Sequence, residues 1–272
     1  MNPEQALSLA LSAAEAGAAE IMAGYGRKPE VRLKGIIDLV TEYDFRSEKV
    51  MRRIIAGACP DHAVLGEEEG WSGPEDAAYR WYLDPVDGTT NFAHGHPFFA
   101  VSIGLTVAEK DGERTLAGVV LAPALGQTFW AAAGLGGRRR LFRTGHGQVE
   151  YPLAVSEVET LDQAMLNTGF PYDLFDRGSE ILSPFGRLSL TARSVRQGGA
   201  ASLDLAFVAA GIADAYWEAG LKPWDVAAGL CLVREAGGQI SDYLGRPYVL
   251  GQSPGIVGSN GRLHPRILEY LK

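Results

Sequence analysis

The segment Trp81-Tyr82-Leu83-Asp84-Pro85-Val86-Asp87-Gly88-Thr89-Thr90-Asn91 runs from an apolar strand pattern into two aspartates three positions apart, then into a glycine and two threonines. Pro85 fixes one backbone angle, so Asp84 and Asp87 are expected to project from one tight turn, with the Val86 carbonyl exposed between them as a third oxygen. Hard oxygen donors grouped in this way suit Mg²⁺, which takes an octahedral oxygen shell. Gly88 lets the chain approach a bound group. Thr89 and Thr90 can open a helix whose first N–H groups point at an anion. Taken alone, the segment fits equally well a plain Asp-Gly turn followed by a capped helix.

Outward from this point the chain alternates between two periodicities. Pro3 and the apolar residues Ala6, Leu7, Ala10, Leu11, Ala14, Ala18 and Ile21 predict a helix ending near Gly24 and Gly26. A second helix is expected over 44–59, N-capped by Asp44 and stopped by Pro60. Between them, 31–40 reads as a strand pair broken at Gly35. Strand patterns at 63–66, 80–83, 98–107, 115–121 and 128–132 make the middle of the first half a sheet. Helices over 180–191, 201–210, 224–236 and 265–271 alternate with strands at 164–167, 213–217, 239–242 and 255–258. The pattern predicts an α/β (α+β) chain of helices layered on sheets. It reads as a single unit over 1–272, with possible subdomains 1–147 and 148–272 meeting in the Gly-, Arg- and His-rich stretch 134–147. Arg138, Arg139, Arg140 and Arg143 there read as a solvated surface strand, with contact to an anionic substrate as the alternative.

Composition narrows the function classes. A chain with 46% hydrophobic and 21% charged residues has ample material for a core and is expected to fold throughout. Its net charge of -8 would repel a long anionic polymer, so nucleic acid is not expected as a substrate. An acidic pocket attracts phosphate only after cations have filled it, which joins the acidity to the metal reading. Cys59 and Cys231 are too few for a disulfide framework or thiolate metal site and fit a reduced cytoplasm. No basic n-region precedes the first helix and no apolar run is long enough to span a bilayer, so neither a signal peptide nor a membrane anchor is expected.

Two more acidic positions extend the candidate site. In Leu65-Gly66-Glu67-Glu68-Glu69-Gly70, Glu67 stands at a strand end and can face the same pocket, while Glu68 and Glu69 face solvent. In Lys222-Pro223-Trp224-Asp225-Val226, Asp225 sits in the first turn of a strongly apolar helix, where capping or dipole compensation is its plain structural use. His94 and His96 invite a zinc reading through their spacing, but no Cys or third His lies near them in sequence.

Together with Asp38-Leu-Val-Thr-Glu-Tyr-Asp44, Gly66-Glu67-Glu68, Val195-Arg-Gln-Gly-Gly-Ala200-Ala201 and Trp224-Asp225-Val-Ala-Ala-Gly229, the opening segment resembles the inositol monophosphatase family over nearly the whole chain. These are metal-dependent, lithium-sensitive sugar and polyol phosphatases. The resemblance implies a layered αβαβα sandwich of the sugar phosphatase type. It implies that Glu67, Asp84, the Val86 carbonyl, Asp87 and Asp225 bind roughly two or three Mg²⁺ ions. Gly88 and Thr89 would hold the phosphate, and Thr89, paired with Asp44, would orient the attacking water. Glu218 and the backbone of Gly199, Ala200 and Ala201 would contact the polyol, although Glu218 also reads as a strand-end surface glutamate. A homodimer is implied as well. The chain departs from the family at 136–145, where an aromatic and an Asn-Gly turn are usual.

The expected reaction is in-line attack on phosphorus by a metal-activated water, with no phosphoenzyme and with Asp44, Glu67, Asp87 and Thr89 as the catalytic group. The expected substrate is inositol monophosphate or a similar small phosphate monoester. Fructose 1,6-bisphosphatase or NADP phosphatase activity is the alternative within the family. A regulatory module that binds a macromolecular partner is the alternative outside enzymes.

Overall fold

Helix α1 (Pro3–Met22) begins with a reciprocal cap: the Asn2 side chain accepts from Gln5 N, and the Gln5 side chain accepts from Asn2 N. The computed structural model describes residues 1–27, 29, 31–33, 39–110, 112–143, 145, 147–171 and 174–271. Gly35, the expected strand break, and Asp38 lie outside these residues, as do the side chain of Arg143 and any role for it. The inward face of α1 is built largely of alanines, which lets it lie close against α2 (Glu42–Ala58). The antiparallel pair β1 (Val31–Leu33) and β2 (Leu39–Thr41) leads into α2. The cap of α2 is Thr41, not Asp44. Thr41 Oγ1 accepts from Tyr43 N, while Asp44, one turn in, reaches back to the Thr41 N–H at 2.9 Å. The capping box starts the helix earlier than a lone aspartate cap would.

Eight strands form the larger sheet: β3 (Ala63–Gly66), β4 (Gly70–Ser72), β5 (Tyr79–Asp87), β6 (Ala100–Glu109), β7 (Gly112–Ala122), β8 (Gln127–Ala132), β9 (Gly136–Arg143) and β10 (Gly147–Pro152), in the order β10-β9-β8-β7-β6-β5-β3-β4. The short helix α3 (Thr89–Ala93) follows β5. The arginine-rich stretch expected as a junction is β9 of this sheet, and β10 carries the sheet beyond residue 147. Arg138, Arg139 and Arg140 are surface groups with partners. Arg139 and Arg140 lie over the Phe129 and Trp130 rings at 5.6 and 4.9 Å, and Arg140 pairs with Glu150 at 3.0 Å.

The smaller sheet contains β11 (Met165–Thr168), β12 (Ser194–Gln197), β13 (Ala215–Ala219), β14 (Gln239–Ser241) and β15 (Gly255–Ser259), ordered β12-β11-β13-β15-β14. Helices α4 (Leu174–Ser189) and α7 (His264–Leu271) cover its outer side. Helices α5 (Ala201–Ala209) and α6 (Pro223–Glu235) fill the space between the two sheets, and α1 with α2 covers the far face of the larger one. The layers run αβαβα, the order that the family resemblance implies. Among the described residues no helix is long and apolar enough to cross a membrane.

Helix α6 lies very close to the larger sheet because two glycines meet beneath it. Gly104 and Gly118 are cross-strand partners on β6 and β7. A Cβ on Gly104 would stand 2.5 Å from the Ala227 Cβ, and one on Gly118 would stand 2.5 Å from the Ala228 carbonyl oxygen. On the opposite side of α6, Gly229 makes room for Leu205 of α5. This thin packing fixes the height of α6, and with it the position of Asp225 in its first turn. Gly104→Val is therefore expected to destabilise the protein by about 1–3 kcal/mol or more in urea denaturation. Wild-type stability in that variant would contradict the close packing.

Candidate active site

On a regular strand, residues three apart point to opposite faces. Asp84 and Asp87 escape this rule because β5 carries one extra residue between them. Asp84 pairs with Ser102 and Asp87 with Ala100, so three steps on β5 match two on β6. Pro85 occupies this bulge, where no ladder N–H is required of it. The expected tight turn is thus a bulge within the strand, and it turns both carboxylates toward α5 and α6. Ser102 on the same face touches α6 through the Trp224 carbonyl at 3.4 Å, and Ala100 lies in the core under α5 and α6.

Several helix beginnings meet at this strand end. Asp87 caps α5: Oδ1 accepts from Ala201 N at 3.0 Å, and Oδ2 accepts from Ser202 N at 2.7 Å and Ser202 Oγ. Asp225 caps its own helix, accepting from Lys222 N at 2.6 Å. Gly88 heads α3 with φ of 90°, and a Cβ there would stand 3.0 Å from the Gly199 carbonyl, so glycine is demanded by both conformation and space. Thr89 Oγ1, the next residue, lies 3.2 Å from Asp44 Oδ1 and 3.0 Å from the Val86 carbonyl oxygen. Its single proton serves one of them at a time. Glu67 follows β3 and is tied to β5 by its N–H, which donates to the Leu83 carbonyl at 3.2 Å. Glu68 beside it is half-buried rather than solvent-facing, while Glu69 is exposed.

The electrostatics follow from this crowding. Burial, then the charges of Glu67, Asp87, Asp225 and Asp44, push the Asp84 carboxyl well above the usual carboxylate range. Burial lifts Asp87 to about 6, although the N–H and hydroxyl donors at the start of α5 oppose the shift. Burial and the charges of Asp87, Glu67 and Glu218 likewise raise Asp225, against the Lys222 N–H that favours its ionised form. As placed, no three acidic, histidine or cysteine side chains among the described residues stand close enough to hold a metal ion. The Asp87 and Asp225 carboxylates are instead turned toward the N–H groups they cap.

The polyol-side residues lie beyond α5. Gly199, with φ of 80°, and Ala200 precede the helix, and the Ala201 N–H is taken by Asp87 instead of being open to a ligand hydroxyl. Glu218 on β13 is not a surface residue. It is half-buried, accepts from the Tyr216 hydroxyl, and fits only because residue 169 has no side chain: a Cβ on Gly169 would stand 1.9 Å from Glu218 Oε2. Several neighbours escape the sequence reading. Asp204, inside α5, is buried and accepts from Asn167 Nδ2 at 2.7 Å. Burial and the charges of Glu218 and Asp87 raise it well above the ordinary range. An aspartate within Ala200-Ala-Ser-Leu-Asp204-Leu-Ala-Phe-Val, an otherwise apolar helix, is the signal that could have found it. Asn91 donates to the carbonyls of Phe98 and Gly198 at 2.7 and 2.9 Å, which links α3 to the loop before α5.

Burial lifts Glu218 from 4.5 to about 7, against the Tyr216 hydroxyl bond and with help from the Asp87 charge. The folded state then holds a proton that the unfolded chain releases, so this contribution to stability is complete below about pH 4.5 and is lost as pH rises through about 7. Glu218→Gln is expected to stabilise the metal-free protein relative to wild type at about pH 8 and to gain little at about pH 4.5 in urea denaturation. An equal difference at both pH values would contradict the burial of this carboxyl.

The profile of the inositol monophosphatase family matches residues 2–272. The chain is 40% identical over 268 residues to the inositol-1-monophosphatase of Synechocystis sp., covering 97% of this chain and 88% of that protein. It is 40% identical to the Nus factor SuhB of Pseudomonas aeruginosa, covering 98% of this chain and 95% of that one. The solved inositol monophosphatase of Anabaena (Nostoc) sp. matches with a TM-score of 0.85 at 36% identity, covering 98% of this chain and 95% of that one. Layer order, acidic strand end and full-length similarity agree: the chain belongs to the inositol monophosphatase family and is a phosphatase.

Proposed function

We propose that the chain hydrolyses inositol monophosphate or a similar small polyol phosphate in a Mg²⁺-dependent reaction, within a reduced cytoplasm. The observation that carries this reading is the burial of Asp84 among the charges of Glu67, Asp87, Asp225 and Asp44. Such a cluster gains most from a cation. Its donors, carboxylates with the Val86 carbonyl, are all oxygens and fit a hard divalent ion better than a thiolate- or imidazole-seeking one. Glu67, Asp84, the Val86 carbonyl, Asp87 and Asp225 would hold the metal, with Asp87 and Asp225 exchanging part of their helix-capping bonds for it. Bound there, Mg²⁺ supplies positive charge for the phosphoryl oxygens and the leaving oxygen and makes a nearby water more acidic.

The chain's own groups do the rest. Asp44, fully buried and fixed by the Thr41 N–H and hydroxyl, can take the Thr89 hydroxyl hydrogen bond. Thr89 Oγ1 then has a lone pair free to accept a proton from the attacking water and pass its own to Asp44 Oδ1. The N–H groups of Gly88 and Thr89 begin α3, have no partner within that helix and would donate to the phosphate. Glu218 is suited to accept from ring hydroxyls once ionised. A homodimer is part of this reading through the family.

Thr89→Ala and Asp44→Asn should each lower kcat by about 10²–10⁴. The double variant should be little worse than either, because the two act as one unit. Independent, additive losses would overturn the relay. Phosphate release from inositol 1-phosphate, fructose 1,6-bisphosphate and NADP, with and without Mg²⁺, tests the substrate class. Preference for the bisphosphate or the dinucleotide would replace it. A second reading, binding of a macromolecular partner, draws on the relative bearing the Nus factor name. Absence of Mg²⁺-dependent release from every ester would favour it.

A further inference from the structure

Glu48 of α2 lies one helical turn beyond Asp44 and is fully buried, yet no step above uses it. Its carboxylate is committed to the loop between β3 and β4. Oε2 accepts from Glu68 N at 2.8 Å, and Oε1 accepts from Glu69 N at 3.0 Å and from Arg52 Nε at 2.7 Å. Arg52 carries the hold to the other end of the loop, donating to the Gly70 carbonyl and to Ser72 Oγ at 2.7 Å. The loop is therefore gripped by its N–H groups directly after Glu67 and by its carbonyl side at Gly70. The Glu67 N–H is itself anchored on β5. Gly66 belongs to the same device, since a Cβ there would stand 2.2 Å from Glu48 Oε1.

An ion pair buried in this way is a poor source of stability, because desolvation offsets most of the attraction. What it does supply is one geometry for a loop that ends in the exposed Glu69 and would otherwise be free to fray. We propose that Glu48 and Arg52 are positioning residues: the buried pair on α2 clamps the β3–β4 loop so that Glu67 is presented to the Asp84 cluster, and thereby sets metal affinity without touching the metal. This rests on the reading of Glu67 as a metal ligand. Groups that orient a ligand from behind commonly change affinity by about 10- to 100-fold when removed.

The test is calorimetric titration of the intact protein with Mg²⁺, alone and without substrate, for wild type, Glu48→Gln, Arg52→Lys, Glu67→Gln and Ile267→Ala. Ile267, on the buried face of α7 against the smaller sheet, is remote from the loop and reports what general destabilisation does to binding. The expected result is a Kd raised about 10- to 100-fold in Glu48→Gln, less in Arg52→Lys, and unchanged in Ile267→Ala. At saturating Mg²⁺ the KM for inositol 1-phosphate should stay near wild type in both clamp variants. Weaker binding in Glu67→Gln with wild-type affinity in Glu48→Gln and Arg52→Lys would overturn the clamp alone. Wild-type affinity in Glu67→Gln would overturn the ligand reading and the clamp with it. If Glu48→Gln does not fold, Arg52→Lys decides: wild-type affinity there overturns the proposal.

Discussion

Asp84 is buried beside Glu67, Asp87, Asp225 and Asp44, and like charges packed into a poorly solvated site repel unless protons, N–H donors or cations offset them. Much of the molecule can be understood as the means of assembling that unfavourable group. The bulge at Pro85 turns Asp84 and Asp87 to one face. The first turns of α5 and α6 give Asp87 and Asp225 N–H partners, and α3 begins immediately beyond. The bulge gathers negative charge and the helix beginnings favour it, and on the proposed function this is what makes the end of β5 a site for a cation and a phosphate.

The scaffold keeps these pieces in register by close packing rather than by charge. Gly104 and Gly118 let α6 sit directly on the larger sheet, while Gly229 receives Leu205 from α5. A helix so tightly seated cannot shift without opening a void or a clash, so Asp225 stays at a fixed height above β5. On the opposite side, α2 contributes Asp44 from its first turn and Glu48 from its second. One helix thus reaches both the Thr89 hydroxyl and the loop that carries Glu67.

The layered fold and most of the acidic site were legible in the sequence, for local reasons. Apolar periodicity marked α1, α6 and the central strands, and Asp84-Pro-Val-Asp87-Gly announced oxygen donors at a strand end. What stayed hidden depends on partners far away in the chain. A bulge is a property of two strands, so Asp84 and Asp87 read as a turn until β6 is set beside them. Glu48 and Arg52, at i and i+4, look like an ordinary exposed helix pair, and only the β3–β4 loop makes them buried. Arg139 and Arg140 break the apolar alternation of β9 because they lie over the Phe129 and Trp130 rings of β8, which made the stretch resemble a junction. Thr41 as the cap of α2 stayed hidden too, because Thr and Asp both cap helices and only the reciprocal bond decides between them.

On the proposed function, the negative charge gathered at the end of β5 is neutralised by a divalent cation. The most direct measurement is the anomalous scattering of Mn²⁺, as a substitute for Mg²⁺, in crystals of the intact protein. A peak within bonding distance of Glu67, Asp84, Asp87 and the Asp225 carboxylate is the predicted result. Crystals saturated with Mn²⁺ that show no density there, with the four carboxylates held only by protons and N–H donors, would contradict it.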